Sequence, residues 1–445
     1  MIGGLQCLIE GARALPARPH ADPHNNTADN VNQDALCVVD LAVVRAQLAR
    51  WRRELKRVDP WYAVKCNPDN GIMRELALAG CGFDVASSLE IDKALALGVT
   101  PQRIVYANPC KGLAHLKHAA AKGIQLTTFD NSDELRKIHA ALPNARLVVR
   151  ILGDDSSSVC RFNAKFGIAV DELAPLLREA AKIGANVAGV SFHVGSGCRS
   201  ADAFAGAVKN ARAAFDMFEE CGLAAPSFLD LGGGWPGALP GQEAKDEIGF
   251  EAICAELRPV LDALFPVSSG VQIIAEPGRF FAHASSMVVA QVTARRAVKV
   301  QNAMPPLMLS AGSSHEGDGD SSSSDDEDLK RMRRETMPPG YRYYINDGCY
   351  GSFNCIMYDH RVNVEPQQVL DCKGKPVRTS GPLLDCSIWG GTCDGIDCIT
   401  MSCPLPEIDI GSWLVFKNMG AYTIAATSHF NGFAPPRVVR LNASD

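Results

Sequence analysis

The sequence has no excess of basic residues. Its 445 residues include 44 Lys and Arg against 50 Asp and Glu, a formal net charge of −6. Nucleic-acid binding depends on Lys and Arg that neutralise phosphates, so this composition speaks against a nucleic-acid partner. Hydrophobic residues make up 47% and charged residues 21%. These are the proportions of a globular protein and not of a membrane-spanning one, so we expect no membrane partner.

Signatures of disulfide frameworks and zinc sites are also missing. The 16 Cys are scattered along a long chain, whereas disulfide frameworks are typical of short secreted chains. Cys393, Cys398 and Cys403 are evenly spaced, but no C-x2-C pair or H-x3-H unit stands nearby to complete a zinc site. We therefore expect reduced thiols, a cytoplasmic location and no metal.

Two segments have the composition of disordered chain. Residues 1–33 contain no convincing cleavable hydrophobic core and are predicted to be disordered, which leaves a targeting role open. The insertion 310–335 contains four consecutive Ser followed by acidic residues. Such a segment has too few apolar side chains to join a core, so it is also predicted to be disordered.

Short β-rich runs alternate with helical stretches through residues 42–283. This alternation predicts parallel β/α units, and eight of them imply a closed (β/α)8 barrel of the TIM type. A helix is predicted at Asp171–Ile183, ending on Gly184. The predicted barrel strands are Trp61–Lys65, Gly82–Ala86, Arg103–Ala107, Gln125–Phe129, Arg146–Leu152, Val187–Val194, Phe228–Leu231 and Val271–Ala275.

Residues 284–445 are predicted to form a second domain, because helical patterns become rare there and β-rich runs predominate. The fold class is therefore α/β, a barrel followed by a mostly antiparallel β domain. Residues 34–41 form a further β run that we expect to join the second domain, since a closed barrel has no edge to accept it. The predicted strands there include Met287–Thr293, Tyr341–Ile345, Trp413–Phe416 and Tyr422–Ala426.

Polar residues cluster at the predicted C-terminal ends of the barrel strands, where active sites of such barrels lie. Each residue alone is weak evidence, but their coincidence predicts an active site. The residues are Lys65, Asp84, Asp130, Arg150, His193, Ser196, Gly232–Gly234, Glu276 and Arg279.

Two of these features point to pyridoxal 5'-phosphate (PLP). Gly232–Gly234 with Arg279 matches the phosphate site that such barrels form after strands seven and eight, although three glycines alone are more often a tight turn. Lys65 ends an apolar run, where burial is expected to lower its pKa and favour a Schiff base. A salt-bridged lysine is the alternative for an isolated Lys. A phosphate site together with an interior lysine predicts PLP as cofactor.

Four motifs resemble the eukaryotic ornithine decarboxylase family, in order along the chain from Ala35 to Phe433. By this resemblance the fold is the alanine-racemase-like PLP barrel with a C-terminal β domain. One departure is Gly391, where the family usually has Pro. The motifs are Tyr62-Ala63-Val64-Lys65-Cys66-Asn67, Phe192-His193-Val194-Gly195-Ser196-Gly197, Ala275-Glu276-Pro277-Gly278-Arg279 and Trp389-Gly390-Gly391-Thr392-Cys393-Asp394-Gly395.

The resemblance implies roles at the cofactor. Lys65 would link to PLP covalently, His193 would stack on its ring, and Glu276 would face the pyridine nitrogen. Asp84 would lie near the cofactor. An isolated His or Tyr422 would more often be a packed core residue. Gly233 and Gly278 would be further cofactor-binding residues. The phosphate would be held by Ser196, Gly234, Arg279 and Tyr422.

Two further positions stay outside this set. Glu90 matches a family position near the cofactor, but Ser87-x-x-Glu90 equally predicts a capping box that opens a helix at Ser88–Leu97. Arg150 equally fits a structural pair with a carboxylate.

The resemblance also implies a substrate site and a dimer. Asp347 and Asp394 would receive the side-chain ammonium of L-ornithine, and Cys393 would protonate Cα after CO2 leaves. Isolated Asp-Gly pairs are usually turns, and an isolated Cys is usually buried and structural. Each active site would be shared between two subunits of a homodimer, with Lys165 and Asp397 pairing across the interface.

The implied function is decarboxylation of L-ornithine to putrescine and CO2, the first step of polyamine biosynthesis. Two alternatives stay open. One is a lysine, arginine or diaminopimelate decarboxylase of the same fold. The other is an inactive homologue that binds the regulatory protein antizyme, which is also a possible partner of the active enzyme.

Overall fold

The computed structural model describes residue 9, residues 34–245, 247–298, 337–359, 364–377 and 381–442. The expected disordered segments 1–33 and 310–335 lie outside these residues, apart from Ile9. The described strands, in chain order, are β1 Leu36–Asp40, β2 Asp59–Ala63, β3 Gly82–Val85, β4 Ile104–Tyr106, β5 Leu126–Phe129, β6 Arg146–Arg150, β7 Ser158–Cys160, β8 Asn186–Ser191, β9 Ser196–Cys198, β10 Phe228–Asp230, β11 Gln272–Ala275, β12 Ser286–Ala297, β13 Pro339–Ile345, β14 Gln368–Leu370, β15 Leu384–Trp389, β16 Cys398–Leu405, β17 Trp413–Phe416 and β18 Arg437–Leu441.

Eight parallel strands close into a barrel in the order β10-β11-β2-β3-β4-β5-β6-β8. This confirms the predicted (β/α)8 fold. The α-helices described along the chain are Leu41–Glu54, Asn70–Leu78, Ser88–Ala96, Leu113–Ala121, Ser132–Ala141, Leu173–Lys182, Asp202–Glu220, Phe250–Leu264, Arg279–Ala282 and Cys355–Tyr358.

Large apolar side chains fill one layer of the barrel core. Strand β3 contributes Gly82 next to this layer, and a Cβ there would lie 2.3 Å from the Trp61 ring. Glycine at 82 therefore makes room for the indole. Burial of such side chains is the main driving force for closing the barrel. The buried cluster consists of Trp61, Val105, Leu126, Val148, Phe228 and Ile274.

Side-chain caps begin several of the helices. Asp40 accepts a hydrogen bond from the Ala42 amide (3.0 Å), and Asn131 accepts one from the Glu134 amide (2.9 Å). Each cap satisfies an amide that has no partner inside its helix. The helix predicted at Asp171–Ile183 begins as a 3-10 turn at Val170–Glu172 and continues as Leu173–Lys182.

The second unit is an eight-stranded sheet, with the path β14-β17-β12-β13-β15-β16. Strand β1 pairs with β12 and β18 in this sheet. Along the path from β14 to β16, pairing is antiparallel except between β13 and β15. The predicted mostly antiparallel domain is therefore confirmed as a fold.

The strand predicted at Tyr422–Ala426 is wrong. The backbone at Tyr422 has φ +53°, a left-handed conformation that cannot continue a strand. Ile424–Ala426 is a 3-10 helix. By its contacts, Asn418–Ala425 groups with the barrel, although it follows the boundary drawn at residue 284.

Candidate active site

Lys65 lies just beyond the end of a barrel strand. Strand β2 ends at Ala63, and Lys65 is the middle residue of the 3-10 helix Val64–Cys66. Its amino group forms an ion pair with Asp84, whose carboxylate is 1% exposed on strand β3. The Lys65 side chain is 42% exposed, so it is accessible from the open end of the barrel.

The expectation of a depressed Lys65 pKa is wrong. Desolvation lowers the pKa of the amine, but the negative charges of Asp84 and Glu276 outweigh it and raise the pKa above its ordinary value. The ion pair with Asp84 therefore agrees with the alternative interpretation of Lys65 as a salt-bridged lysine. Reaction with an aldehyde requires that Lys65 first lose its proton.

Glu276 follows strand β11 and is buried. Burial raises its pKa, and so do the neighbouring charges of Asp230 and Asp84, while Lys65 acts in the opposite direction. Its backbone amide donates to the Gly232 carbonyl at 2.8 Å. This bond links Glu276 to the glycine turn after β10.

His193 follows strand β8 and is held as a neutral ring. Burial lowers its pKa well below the ordinary value, and the positive charges of Arg150 and Lys65 act in the same direction. Its Nδ1 atom accepts a hydrogen bond from the Gly195 amide at 2.9 Å. The ring packs edge-on against Phe162 with centroids 4.9 Å apart.

The glycine turn after β10 leaves no room for side chains. A Cβ at Gly232 would lie 2.0 Å from the Phe192 carbonyl oxygen, and one at Gly233 would lie 2.6 Å from His193 Nε2. Gly234 has φ +105°, which favours glycine. The turn therefore exposes backbone close to His193.

Arg279 brings a cation to the same end of the barrel. Its guanidinium donates to the Ser196 hydroxyl at 3.3 Å and lies 5.0 Å from the centre of the Tyr422 ring. The Tyr422 amide donates to the Cys66 carbonyl at 2.9 Å, next to Lys65 in the chain. Gly278, before Arg279, could not carry a Cβ without meeting Cys66 at 2.7 Å.

Glu90 and Arg150 both lie close to this cluster. Ser87 caps the helix Ser88–Ala96 by accepting from the Glu90 amide at 3.3 Å, and the Glu90 carboxylate accepts from the Ala86 amide at 2.6 Å. In the usual capping box the Glu carboxylate accepts from the amide of the N-cap residue, here Ser87. In this helix it accepts from the amide one residue earlier, that of Ala86. Arg150 lies over the Phe166 ring at 5.3 Å, and burial lowers its pKa.

In the sheet unit, Asp347 is a buried turn residue. One oxygen accepts from the amides of Gly348 and Ser352, both at 2.8 Å. Burial raises the pKa of Asp347 to about 6, although the hydrogen bonds from Ser352 partly oppose the shift. The carboxylate is therefore ionised at neutral pH and available to a cation.

Cys393 and Asp394 lie on the loop between β15 and β16. The Tyr350 hydroxyl donates to Asp394 and lowers its pKa. The Cys393 amide donates to the Asn431 side chain at 3.1 Å, and its thiol belongs to an exposed residue. The alternative of a buried structural Cys is therefore wrong within the single chain.

Asp397 holds this loop together. It is 2% exposed and accepts from the Cys349 amide at 2.7 Å and from the Thr392 hydroxyl at 2.6 Å. Lys165 lies at the surface of the barrel unit, 4.9 Å from the centre of the Phe166 ring. The pairing of Lys165 with Asp397 of a second subunit stays a prediction.

Sequence reasoning missed Asp230 and Tyr350 as members of these two clusters. Asp230 is fully buried at the end of β10, directly before Leu231 and the glycine turn. An acid inside an apolar barrel strand was the available signal, because such residues are seldom buried without a partner. Tyr350 has no comparable signal, since its contact with Asp394 joins positions 44 residues apart.

No helix among the described residues is long and apolar enough to cross a membrane. Within the same residues, His, Cys, Asp and Glu form no group of three or more that could hold a metal ion.

Two protein-family descriptions match most of the chain. Residues 41–283 match the pyridoxal-dependent decarboxylase, pyridoxal binding domain, and residues 280–420 match the pyridoxal-dependent decarboxylase, C-terminal sheet domain.

Curated relatives and solved structures agree with this match. Ornithine decarboxylase of Mus pahari is 42% identical over 93% of this chain and 82% of its own length. Antizyme inhibitor 2 of Xenopus laevis is 42% identical over 92% of this chain and 81% of its own. The arginine decarboxylase of Paramecium bursaria Chlorella virus has a TM-score of 0.79 at 29% identity, over 99% of this chain and 100% of that one.

Proposed function

Because this chain belongs to the pyridoxal-dependent decarboxylases, we propose that it uses PLP to convert L-ornithine into putrescine and CO2. The observation that carries the proposal is the convergence of Lys65, Glu276 and Arg279 at one end of the barrel. Ornithine decarboxylases that are 42% identical over nine-tenths of the chain support the choice of substrate.

The residues at this end of the barrel fit PLP. Gly233 and Gly234 leave backbone open where a Cβ would collide with neighbouring atoms, and Arg279 with Ser196 offers donors to a phosphate. Together with Gly278 and Tyr422 they would hold the phosphate group. Asp84 and Glu276 are buried carboxylates that would lie near the rest of the cofactor.

Bound PLP supplies a ring that accepts the electron pair left behind when CO2 departs. Glu276 would accept a hydrogen bond from the pyridine nitrogen. Lys65 would form the covalent link to the cofactor, and the neutral ring of His193 would lie against its face.

Two acids of the sheet unit would recognise the substrate. Asp347 and Asp394 are both ionised at neutral pH, given a pKa of about 6 for the first and a lowered pKa for the second. They would bind the side-chain ammonium of ornithine. The exposed thiol of Cys393 would return a proton to Cα.

We further propose a homodimer in which Cys393 and Asp394 of one subunit complete the barrel site of the other. Lys165 and Asp397 would pair across the same interface. The enzyme would act in the cytoplasm at the first step of polyamine biosynthesis, with antizyme as a possible protein partner.

Two other functions have specific support. Arginine and lysine decarboxylases share the fold at 27–30% identity, so one of those amino acids is the alternative substrate. The likeness to an antizyme inhibitor supports a binding protein without activity. Lys65, Asp347, Cys393 and Asp394 are all in place in this chain, which favours an enzyme.

The covalent link is tested by reducing the PLP-loaded protein with borohydride and mapping the modified peptide. We expect the label on Lys65 and its loss in Lys65→Ala. The matched control is Lys122→Ala, because Lys122 is 44% exposed and also ion-paired, in its case with Asp92. A label that persists in Lys65→Ala would refute the assignment.

A further inference from the structure

Asn67 is the last residue of the motif that contains Lys65, and the proposed mechanism gives it no role. It directly follows the 3-10 helix Val64–Cys66 and is 0% exposed. A buried amide side chain is costly unless its oxygen and its N–H groups have partners. The partners of Asn67 therefore indicate what this side chain does.

The side chain of Asn67 joins its own turn to a segment far along the chain. Its Oδ1 atom accepts from the Asp69 amide at 3.0 Å, within the same turn. Its Nδ2 atom donates to the Gly420 carbonyl at 2.8 Å. Gly420 belongs to the segment Asn418–Ala425, which groups with the barrel and contains Tyr422. Asn67 thus connects the turn of Lys65 to the segment of Tyr422.

A backbone hydrogen bond repeats this connection. The Tyr422 amide donates to the Cys66 carbonyl at 2.9 Å, and Cys66 lies between Lys65 and Asn67 in the chain. Cys66 and Ala421 are also buried in one apolar cluster, against which Tyr422 packs. The turn and the segment are therefore held together by contacts of both side chain and backbone.

Both partners of this connection are anchored on the barrel. A Cβ at Gly420 would lie 1.7 Å from the Ala282 carbonyl oxygen, so the segment lies directly on the helix Arg279–Ala282. On the other side, the Tyr62 hydroxyl donates to the Asn67 carbonyl at 2.8 Å from within strand β2. Asn67 therefore lies between the element that precedes Lys65 and the elements that carry the proposed phosphate donors.

We propose that Asn67 is a positioning residue that sets the place of Lys65 relative to Tyr422. The inference rests on the proposed function in one respect, since Lys65 is taken to form the link to PLP and Tyr422 to hold its phosphate. A ligand that engages two points at once gains affinity only when their spacing matches it. Loss of the Asn67 bridge should therefore cost affinity chiefly for a ligand that uses both points.

Comparison of PLP with pyridoxal, which lacks the phosphate, isolates this spacing. Both ligands carry the aldehyde that reacts with Lys65, but only PLP also engages Tyr422. In Asn67→Ala we expect the ratio of PLP affinity to pyridoxal affinity to fall about ten-fold or more, because the buried Gly420 carbonyl loses its donor and the segment can shift. Fluorescence titration of the full chain with each ligand measures the ratio without any need for activity.

Two further variants separate the bridge from the local turn and from stability. In Asn67→Ser the hydroxyl can still accept from the Asp69 amide but ends one bond short of the Gly420 carbonyl, so the ratio should fall as in Asn67→Ala. Thr127→Val is the matched control, because the buried Thr127 hydroxyl also donates to a backbone carbonyl, that of Tyr106, at 2.9 Å. It should leave the ratio unchanged. Asn67→Ser remains decisive if Asn67→Ala fails to fold.

The outcomes distinguish this inference from the proposed function. An unchanged ratio in Asn67→Ser, or equal falls in Asn67→Ser and Thr127→Val, would overturn the inference. A wild-type protein that binds pyridoxal as tightly as PLP would overturn it together with the phosphate site. A ratio that falls as expected in a protein that releases no CO2 from ornithine would support the positioning role and reject the proposed function.

Discussion

The amino group of Lys65 is ion-paired with the carboxylate of Asp84. The pair joins the 3-10 helix after β2 to strand β3. The acid is almost fully buried, while the lysine is accessible. This contact raises the pKa of Lys65 despite desolvation. Asp84 therefore controls how readily the amine becomes a nucleophile.

Replacing Asp84 by Asn should shift the pH dependence of PLP attachment. Without the negative charge the pKa of Lys65 falls, so the neutral amine is present at lower pH and attachment becomes faster near neutrality. Stopped-flow absorbance of protein mixed with PLP measures this rate across pH. The control is Asp92→Asn, which alters the surface pair with Lys122. An unchanged profile in Asp84→Asn would show that Asp84 does not govern the amine.

Adding one methyl group at Gly233 should disrupt cofactor binding. The new Cβ would lie 2.6 Å from His193 Nε2, so Gly233→Ala should weaken PLP binding about ten-fold or more through steric displacement. Gly206→Ala is the control, since its Cβ meets nothing within 4 Å in the helix Asp202–Glu220. It should keep PLP affinity and gain up to about 1 kcal/mol of stability. Fluorescence titration with PLP compares the two, and equal affinities would count against a tight cradle.

Neutralising Asp347 should weaken substrate binding and stabilise the free protein. Its pKa rises from 3.8 when unfolded to about 6 when folded, so folding binds a proton. The fold therefore loses stability as the pH rises from about 4 to about 6, and the loss is complete above that range. Asp347→Asn should therefore raise the Tm near neutral pH. The corresponding gain in the free energy of unfolding should be at most about 3 kcal/mol. The gain should vanish below pH ~4.

The same variant should raise KM for ornithine about ten-fold or more, because a charged hydrogen-bond partner is lost. Differential scanning calorimetry and steady-state kinetics measure the two effects. A higher Tm with an unchanged KM would place the ammonium site elsewhere.

Mixing two inactive variants tests the shared site. In a symmetric dimer, Lys65→Ala and Cys393→Ala place both lesions in one site of a mixed dimer and leave the other site intact. Random exchange makes half the dimers mixed, so about a quarter of wild-type activity should return. Assays before and after subunit exchange measure it. No recovery would mean that both residues serve the site of one chain.

Much of the barrel follows from sequence because its signals are local. The alternation of apolar runs and helices predicts the eight strands to within a few residues, and Trp413–Phe416 coincides with β17. Tyr422–Ala426 also has the composition of a β run, but the Tyr422 amide donates to the distant Cys66 carbonyl and the backbone at Tyr422 is left-handed. Long-range contacts of this kind leave no periodic pattern.

The electrostatics of the site could not be predicted in the same way. The sequence places Lys65 at the end of an apolar run, where burial alone would lower its pKa. The direction of the pKa shift depends instead on the ion pair with Asp84, which lies against it in the fold. Asp397 was assigned to a subunit interface, and its bonds to Cys349 and Thr392 arise only when two loops meet. Distances between charges decide these properties, and the sequence does not contain them.

The central claim is that L-ornithine is the substrate, and CO2 release from ornithine, lysine and arginine by the PLP-loaded protein tests it most directly. We expect the highest kcat/KM for ornithine and a value about 10- to 200-fold lower for lysine, because one methylene contributes only about 1 to 3 kcal/mol of discrimination. Lys65→Ala should release no CO2 from any of them. A preference for lysine or arginine, or no release by wild-type protein with bound PLP, would contradict the account.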